Sequence, residues 1–236
     1  SGVKHAFLTT NGGCTNPFGN HILSPNCSDT YGTGNNDNTG DLGPRREIVP
    51  ATGVVWFGTG EGAVEVQPSG DWRCFTTQDG LAEDFVEDIH VRADGSVWVA
   101  TNSGVSVRAP GGDWRVLGEA DGLSSQYVRS IAEDGGGSLW FATFAGASRL
   151  SPDGSWQSFS VGGDLNRQEG RDLAIDRGGN VWLGTNMGLC RLGANDAWHC
   201  TGTDHGVDTV AADPGRGGVW FGSRGGGCEY MAADGG

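Results

Sequence analysis

Short runs of Val, Ile, Leu and aromatic residues, each broken by a cluster of Gly, Asp, Asn or Pro, recur from about residue 45 onward. One stretch shows the pattern in full. Phe85-Val-Glu-Asp-Ile-His-Val91 predicts a strand (a) and Ala93-Asp-Gly95 a turn. Ser96-Val-Trp-Val-Ala100 predicts strand b, turned back by Thr101-Asn-Ser-Gly104. Val105-Ser-Val-Arg108 (c) and Trp114-Arg-Val-Leu117 (d) are separated by Pro110-Gly-Gly-Asp113, and Asp121-Gly-Leu123 closes the unit. Runs of this length, rich in β-branched and aromatic residues and bounded by turn formers, are antiparallel hairpin material. No stretch keeps a helical period.

The unit repeats. Trp56, Trp98, Trp140, Trp182 and Trp220 stand 42, 42, 42 and 38 residues apart, in VVWFGTGEGA, SVWVATNSGV, SLWFATFAGA, NVWLGTNMGL and GVWFGSRGGG. Trp72, Trp114, Trp156 and Trp198 each follow 16 residues later, so all nine tryptophans belong to one series or the other. Four-stranded units at this period predict an all-β, five-bladed β-propeller of antiparallel blades. One blade cannot bury both of its faces, so neighbouring blades must stack. Both tryptophan series are expected to form the bulk of the core between them.

The order of an Asp-Gly turn, then L/V-W-x-G/A-T-x-x-G, a d strand and D-G-L resembles the two-component regulator propeller repeat over residues 45–236. The resemblance implies a propeller used for binding, sensing or scaffolding in sensor domains and secreted proteins. The streptogramin lyases look like distant relatives. That likeness implies, as an enzyme alternative, a histidine base beside a metal-binding carboxylate. His205, near Asp204 and Asp208, is the one candidate.

The first residues break the period. Residues 3–10, VKHAFLTT, match the d strand at 71–80, with His5 in the Trp place and Thr9-Thr10 over Thr76-Thr77. The fifth repeat reaches Gly236 where its own d-strand Trp would fall. The N-terminal strand is therefore expected to complete the last blade, within one molecule or, by exchange, in the next, which would build a filament. The reading is one domain, 1–236, with a closing strand at 1–10, a loop insertion at 11–44 and repeats over 45–236. Within the insertion, Asp29, Asp37 and Asp41 are candidate calcium ligands, although their spacing does not match D-x-[DN]-x-[DN]-G. Asn26-Cys-Ser28 forms a glycosylation sequon.

Charge and cysteines narrow the setting. A formal net charge of −14 makes contact with DNA, RNA or an anionic membrane repulsive. No apolar run is long enough for a transmembrane helix. The chain begins at Ser1 without a signal sequence, as expected of a processed or trimmed chain. Six cysteines, with no C-x-x-C, point to a secreted or cell-surface protein. Cys190 and Cys200 flank the turn Gly193–Asp196 symmetrically and are expected to bridge a c–d hairpin, and Cys14 to pair with Cys27. Cys74 and Cys228 could join each other, join another chain or remain thiols.

Strand alternation puts the b–c turns and d–a loops on one face. The a-strand starts there read Arg46-Glu47, Glu87-Asp88, Arg129-Ser130, Arg171-Asp172 and Asp208-Thr209, and the b–c turns add Glu61, Asn102, Phe144, Asn186, Met187 and Arg224. Arg46, Glu87, Arg129, Phe144, Arg171, Asn186 and Arg224 are the candidate ligand-binding residues, suited to a carboxylate or an acidic sugar. Alternatively, these charges pair with one another. No nucleophile, phosphate-loop or H-E-x-x-H motif occurs, so no catalytic residue is assigned. The sequence thus reads as a non-catalytic extracellular interaction or structural module, partnered by a protein, by itself or by a glycan. No cofactor is expected, with calcium the one candidate ion.

Overall fold

The computed structural model describes residues 47–48, 52–159, 169–193, 196–203, 205–223 and 227–233. Among them all regular structure is β. The first blade is β1 (Glu47–Ile48), β2 (Val55–Thr59), β3 (Gly62–Val66) and β4 (Trp72–Phe75). The second is β5 (Val86–Val91), β6 (Val97–Thr101), β7 (Gly104–Arg108) and β8 (Trp114–Leu117). The third is β9 (Val128–Glu133), β10 (Leu139–Thr143), β11 (Gly146–Leu150) and β12 (Trp156–Phe159). The fourth is β13 (Gly170–Ile175), β14 (Val181–Thr185), β15 (Gly188–Leu192) and β16 (Trp198–Gly202). The fifth is β17 (Thr209–Ala212), β18 (Val219–Ser223) and β19 (Gly227–Met231). Each sheet keeps the chain order of its strands, as an up-and-down antiparallel blade does. The fold is the expected all-β propeller of five blades. The proposed closing strand at 3–10 lies outside the described residues.

Two compact units carry these sheets, Ser1–Val99 with Ser106–Arg115, and Ala100–Val105 with Val116–Gly236. In the first, the core between consecutive blades gathers Trp56, Phe75, Leu81, Val86, Ile89 and Val97. In the second, Trp140, Leu173, Val181, Leu183 and Trp198 form one core, and Trp182, Leu189, Val207, Val210, Val219 and Phe221 form the next. Every cluster draws on two neighbouring blades, because one sheet has no second layer of its own.

The tryptophans build these cores by a repeated stack. Trp56 stacks on Phe75 at 5.4 Å, and Trp114 of the next blade lies tilted against that Phe at 5.5 Å. One unit over, Trp140 stacks on Phe159 at 5.7 Å, and Trp198 meets both rings edge-on at 6.2 and 5.8 Å. Trp56, Trp98, Trp140 and Trp182 are all buried. Trp220 departs from the expectation at 37 % exposure. Its described neighbours are the Tyr230 ring of its own blade and the Arg216 guanidinium, 5.6 Å from the ring centre, with no d-strand ring beside it among the described residues.

The a–b turns explain why an Asp precedes these tryptophans. The Asp134 carboxylate accepts the Trp140 indole N–H at 3.0 Å and the amides of Gly136 and Ser138 at 2.9 Å. Asp176 repeats this with Trp182, Gly178 and Asn180, and Asp213 with Trp220, Gly215 and Arg216. In the second blade Ser96 stands between Asp94 and the Trp98 indole. This ties Ser96 to its turn, so β6 begins one residue later than the pattern predicts. Burial opposes ionisation of Asp134 and Asp176, but the indole and amide donors outweigh it and hold both carboxyls below the usual value of 3.8. A depressed carboxyl stabilises the fold above its unfolded pKa, and that contribution is lost as pH falls through the folded value. Thermal midpoints taken from about pH 6 downward should therefore decline below about pH 4, with a shallower decline in Asp176→Asn. Equal acid limbs for the wild type and the variant would refute the assignment to this turn.

Cys190 and Cys200 lie directly opposite each other in β15 and β16 and form the disulfide found among the described residues. Cys14 and Cys27 lie outside those residues. Cys74 is buried and Cys228 exposed.

Candidate functional site

The loop face is built from one turn design. In each of the first four b–c turns a Thr hydroxyl accepts the amide two residues on and donates to the Gly carbonyl three residues on: Thr59 to Gly62, Thr101 to Gly104, Thr143 to Gly146 and Thr185 to Gly188. These four glycines have φ between 114° and 147°. A Cβ on Gly188 would lie 2.1 Å from the Thr201 carbonyl oxygen of the d strand. The T-x-x-G signature is therefore a turn that only Gly can close against its neighbour. The residues between Thr and Gly enter this hydroxyl clasp only through a main-chain amide.

Beside these turns the inner strands begin with a bulge. The β9–β10 register slips so that Ala142 faces Ser130 and Thr143 faces Val128, leaving Arg129 unmatched; the β13–β14 register leaves Arg171 unmatched in the same way. A bulge re-aims the extra residue. The residue after it turns into the blade contact. Ser130 donates to Asp172 at 2.9 Å, and Asp172 accepts the Val210 amide at 2.8 Å and the Thr209 hydroxyl at 3.2 Å. Asp88, the counterpart of Ser130 one repeat earlier, is buried. In this half of the ring, the second residue of each a-strand start, Ser130, Asp172 and Thr209 thus do structural work between blades.

The other half is divided. Arg171 is paired with Asp208 at 2.5 Å. Glu87 and Arg129 are half-buried. Asn186 is used locally, its side-chain oxygen accepting the Glu169 amide at 2.9 Å. Arg46 and Arg224 lie outside the described residues, as do the calcium candidates Asp29, Asp37 and Asp41. His205 is exposed, while Asp208 is engaged with Arg171 and Asp204 lies outside the described residues. Among the described residues no three His, Cys, Asp or Glu gather as a metal site.

One feature of this face is absent from the sequence expectation. The Phe144 amide donates to the Tyr127 carbonyl at 3.0 Å, and the two rings sit 5.9 Å apart at 50°. They are 49 % and 48 % exposed. One repeat on, Asn186 bonds the Glu169 carbonyl through the same amide position. The last residue before the a strand and the first variable residue of the b–c turn thus form a fixed pair in which only the side chains change. Met187, also in a b–c turn, is 54 % exposed. The 42-residue offset from Phe85 through Tyr127 to Glu169 is the signal that could have located the pair.

Residues 122–145 match the family model described as "two component regulator propeller". That stretch, one repeat long, is similar to the two-component regulator propeller repeat. The matched stretch runs from the D-G-L closure through Tyr127 to the Phe144 turn. No curated protein sequence matches the chain. Among solved structures, the extracellular domain of BT3049 of B. thetaiotaomicron, titled a hybrid two component system, aligns at TM-score 0.73 and 22 % identity over 82 % of this chain and 28 % of its own. Virginiamycin B lyase from Staphylococcus aureus aligns at TM-score 0.65 and 15 % identity over 84 % and 69 %. PorZ of Porphyromonas gingivalis, titled a surface component of the type-IX secretion system, aligns at 0.63 and 16 % over 82 % and 32 %. These likenesses share the propeller fold. The chain spans little more than a quarter of the first of them. The matched stretch contains both Tyr127 and Phe144 of the exposed pair.

Proposed function

We propose that the chain is a non-catalytic, extracellular propeller module that captures a partner or ligand on its loop face, at the Tyr127–Phe144 pair and Met187. The observation that carries this reading is the half-exposure of both rings at positions fixed through their backbones, the Phe144 amide on the Tyr127 carbonyl and the Tyr127 amide on the Ser125 hydroxyl. Large apolar groups left open where folding does not need them mark interaction surfaces. The similar propellers of extracellular sensor and secretion-surface proteins support that setting. A lyase reading draws on the virginiamycin lyase likeness, but Asp208, which would flank His205, is already held by Arg171.

A second reading, self-association, has one observation behind it. β19 is exposed over Gly227–Glu229, whereas the c strands β7, β11 and β15 begin fully buried beneath a d strand. An open strand edge templates pairing.

The test exposes the wild type and a Tyr127→Ser/Phe144→Ser variant to glycan and peptide arrays. Binding should be lost in the variant at unchanged thermal midpoint, and bound ligand should be recovered chemically intact. Recovery of a cleaved or isomerised ligand would overturn the non-catalytic reading. Sedimentation of the same samples would separate the second reading, since assembly through β19 would not respond to the loop-face variant.

A further inference from the structure

The Tyr127–Phe144 pair does not stand on neutral ground. In the loop before it, the exposed Glu119 carboxylate accepts the Gln126 amide at 3.3 Å, which brings that carboxylate within one residue of Tyr127. On the other side, Gly170 packs so closely on the turn that carries Phe144 that a Cβ there would lie 2.5 Å from the Gly146 carbonyl oxygen and 3.1 Å from Thr143 N and O. Glu169 is the residue immediately before Gly170, so it too borders that turn. Two open aromatic rings at an angle, with the Glu119 carboxylate held beside them and Glu169 adjoining Gly170 in the chain, combine two attractions for a cation. The ring faces offer the negative side of their quadrupoles, and the carboxylates offer opposite charge and hydrogen-bond acceptors.

Of the natural cations, a guanidinium fits this combination best. It is planar enough to lie on a ring, it remains charged at any ordinary pH, and its fork of N–H donors can engage a carboxylate while stacked. A net charge of −14 favours the approach of such a partner over an acidic one. We propose that the Tyr127–Phe144 pair, with Glu119 and Glu169, is a receptor for an arginine side chain on a basic segment of a protein partner. This rests on the loop face being the binding face and names what it takes. It differs from the anion site read from the arginines in the sequence. Arg171 is neutralised by Asp208, and Arg129 is the charge that an incoming cation must tolerate.

The probe is a capped tri-arginine peptide, titrated by NMR at physiological salt, with capped tri-citrulline as its uncharged match. The arginine peptide should bind and the citrulline peptide should not. Tyr127→Ala, Phe144→Ala and Glu169→Gln should each weaken binding roughly fivefold, and Tyr127→Phe should restore it. Arg129→Ala should bind as well as the wild type or better, an outcome an anion site would not survive. Equal binding of the two peptides, or arginine binding untouched by Tyr127→Ala, would assign the effect to general acidity and overturn the proposal. If instead a neutral saccharide needs both rings and ignores Glu119→Gln and Glu169→Gln, the guanidinium assignment falls and the loop-face function stands. No ligand of any class at this rim would remove both.

Discussion

Gly188→Ala should destabilise the protein by at least about 3 kcal/mol, enough to leave much of it unfolded if the fold is ordinarily stable. Two effects add. At φ +147° the backbone is in a region that L side chains rarely adopt. The new methyl would also stand 2.1 Å from Thr201 O and 2.8 Å from the Gly202 Cα. Both obstacles are main chain of the adjoining strand, so no side-chain rotation can relieve them. Relief requires β15 and β16 to separate at the point where Gly188 pairs with Gly202, close to the Cys190–Cys200 bond. Gly179→Ala is the matched control, with φ +82° in the same blade and nothing within 4 Å of a Cβ. It should cost only about 1–2 kcal/mol, the intrinsic penalty of a left-handed L-residue. Urea midpoints of the two variants measure the difference. Equal losses would mean that T-x-x-G glycines are chosen for conformation alone and not for close approach.

The second large effect is expected at Trp140. Its indole touches Phe159 and Trp198, lies 5.2 Å from the Arg149 guanidinium and donates to Asp134. Trp140→Ala removes the centre of a stack shared by two blades and leaves the partly buried Asp134 carboxylate without its indole donor. The loss should be about 3–5 kcal/mol. Trp220→Ala, at the same place in its own repeat, should cost clearly less. That ring is 37 % exposed and stacks only on Tyr230 among described aromatic residues. The two variants, compared by chemical denaturation under one set of conditions, ask whether the tryptophan series is energetically uniform. Similar losses would show that Trp220 is covered more fully than its described neighbours provide.

The period, the four strands per repeat and the tryptophan core could be read from the chain because they rest on spacing, and spacing survives when individual residues vary. The Cys190–Cys200 pair was legible for the same reason, since two residues equidistant from one turn must face each other in a hairpin. The loop face was read less well. Arg129 and Arg171 read in the sequence as members of a mixed-charge ring, open to a ligand or paired within the ring, but each sits at a register slip that simple alternation cannot foresee. Arg171 then finds Asp208, 37 residues away. Tyr127 escaped notice because its counterparts are Phe85 and Glu169, which share no chemistry, and because Phe144, its partner, lies in a different loop of the blade. Such a pair is specified by a backbone hydrogen bond, which leaves no mark in residue type.

That division of labour bears on how such a surface can diversify. In the third and fourth blades one backbone contact joins Tyr127 to Phe144 and Glu169 to Asn186, so the scaffold accepts an aromatic, an acid or an amide with the same geometry. Substitutions at Tyr127 and Phe144 should disturb folding little and those at Thr143, Gly188 or Asp176 much more, with Asn186 between them because its side chain accepts the Glu169 amide. A gene encoding this chain can therefore drift widely at two codons per repeat and stay viable. The rim becomes a small combinatorial alphabet written on a fixed frame, and a library randomised only at those positions should yield mostly folded proteins with altered recognition.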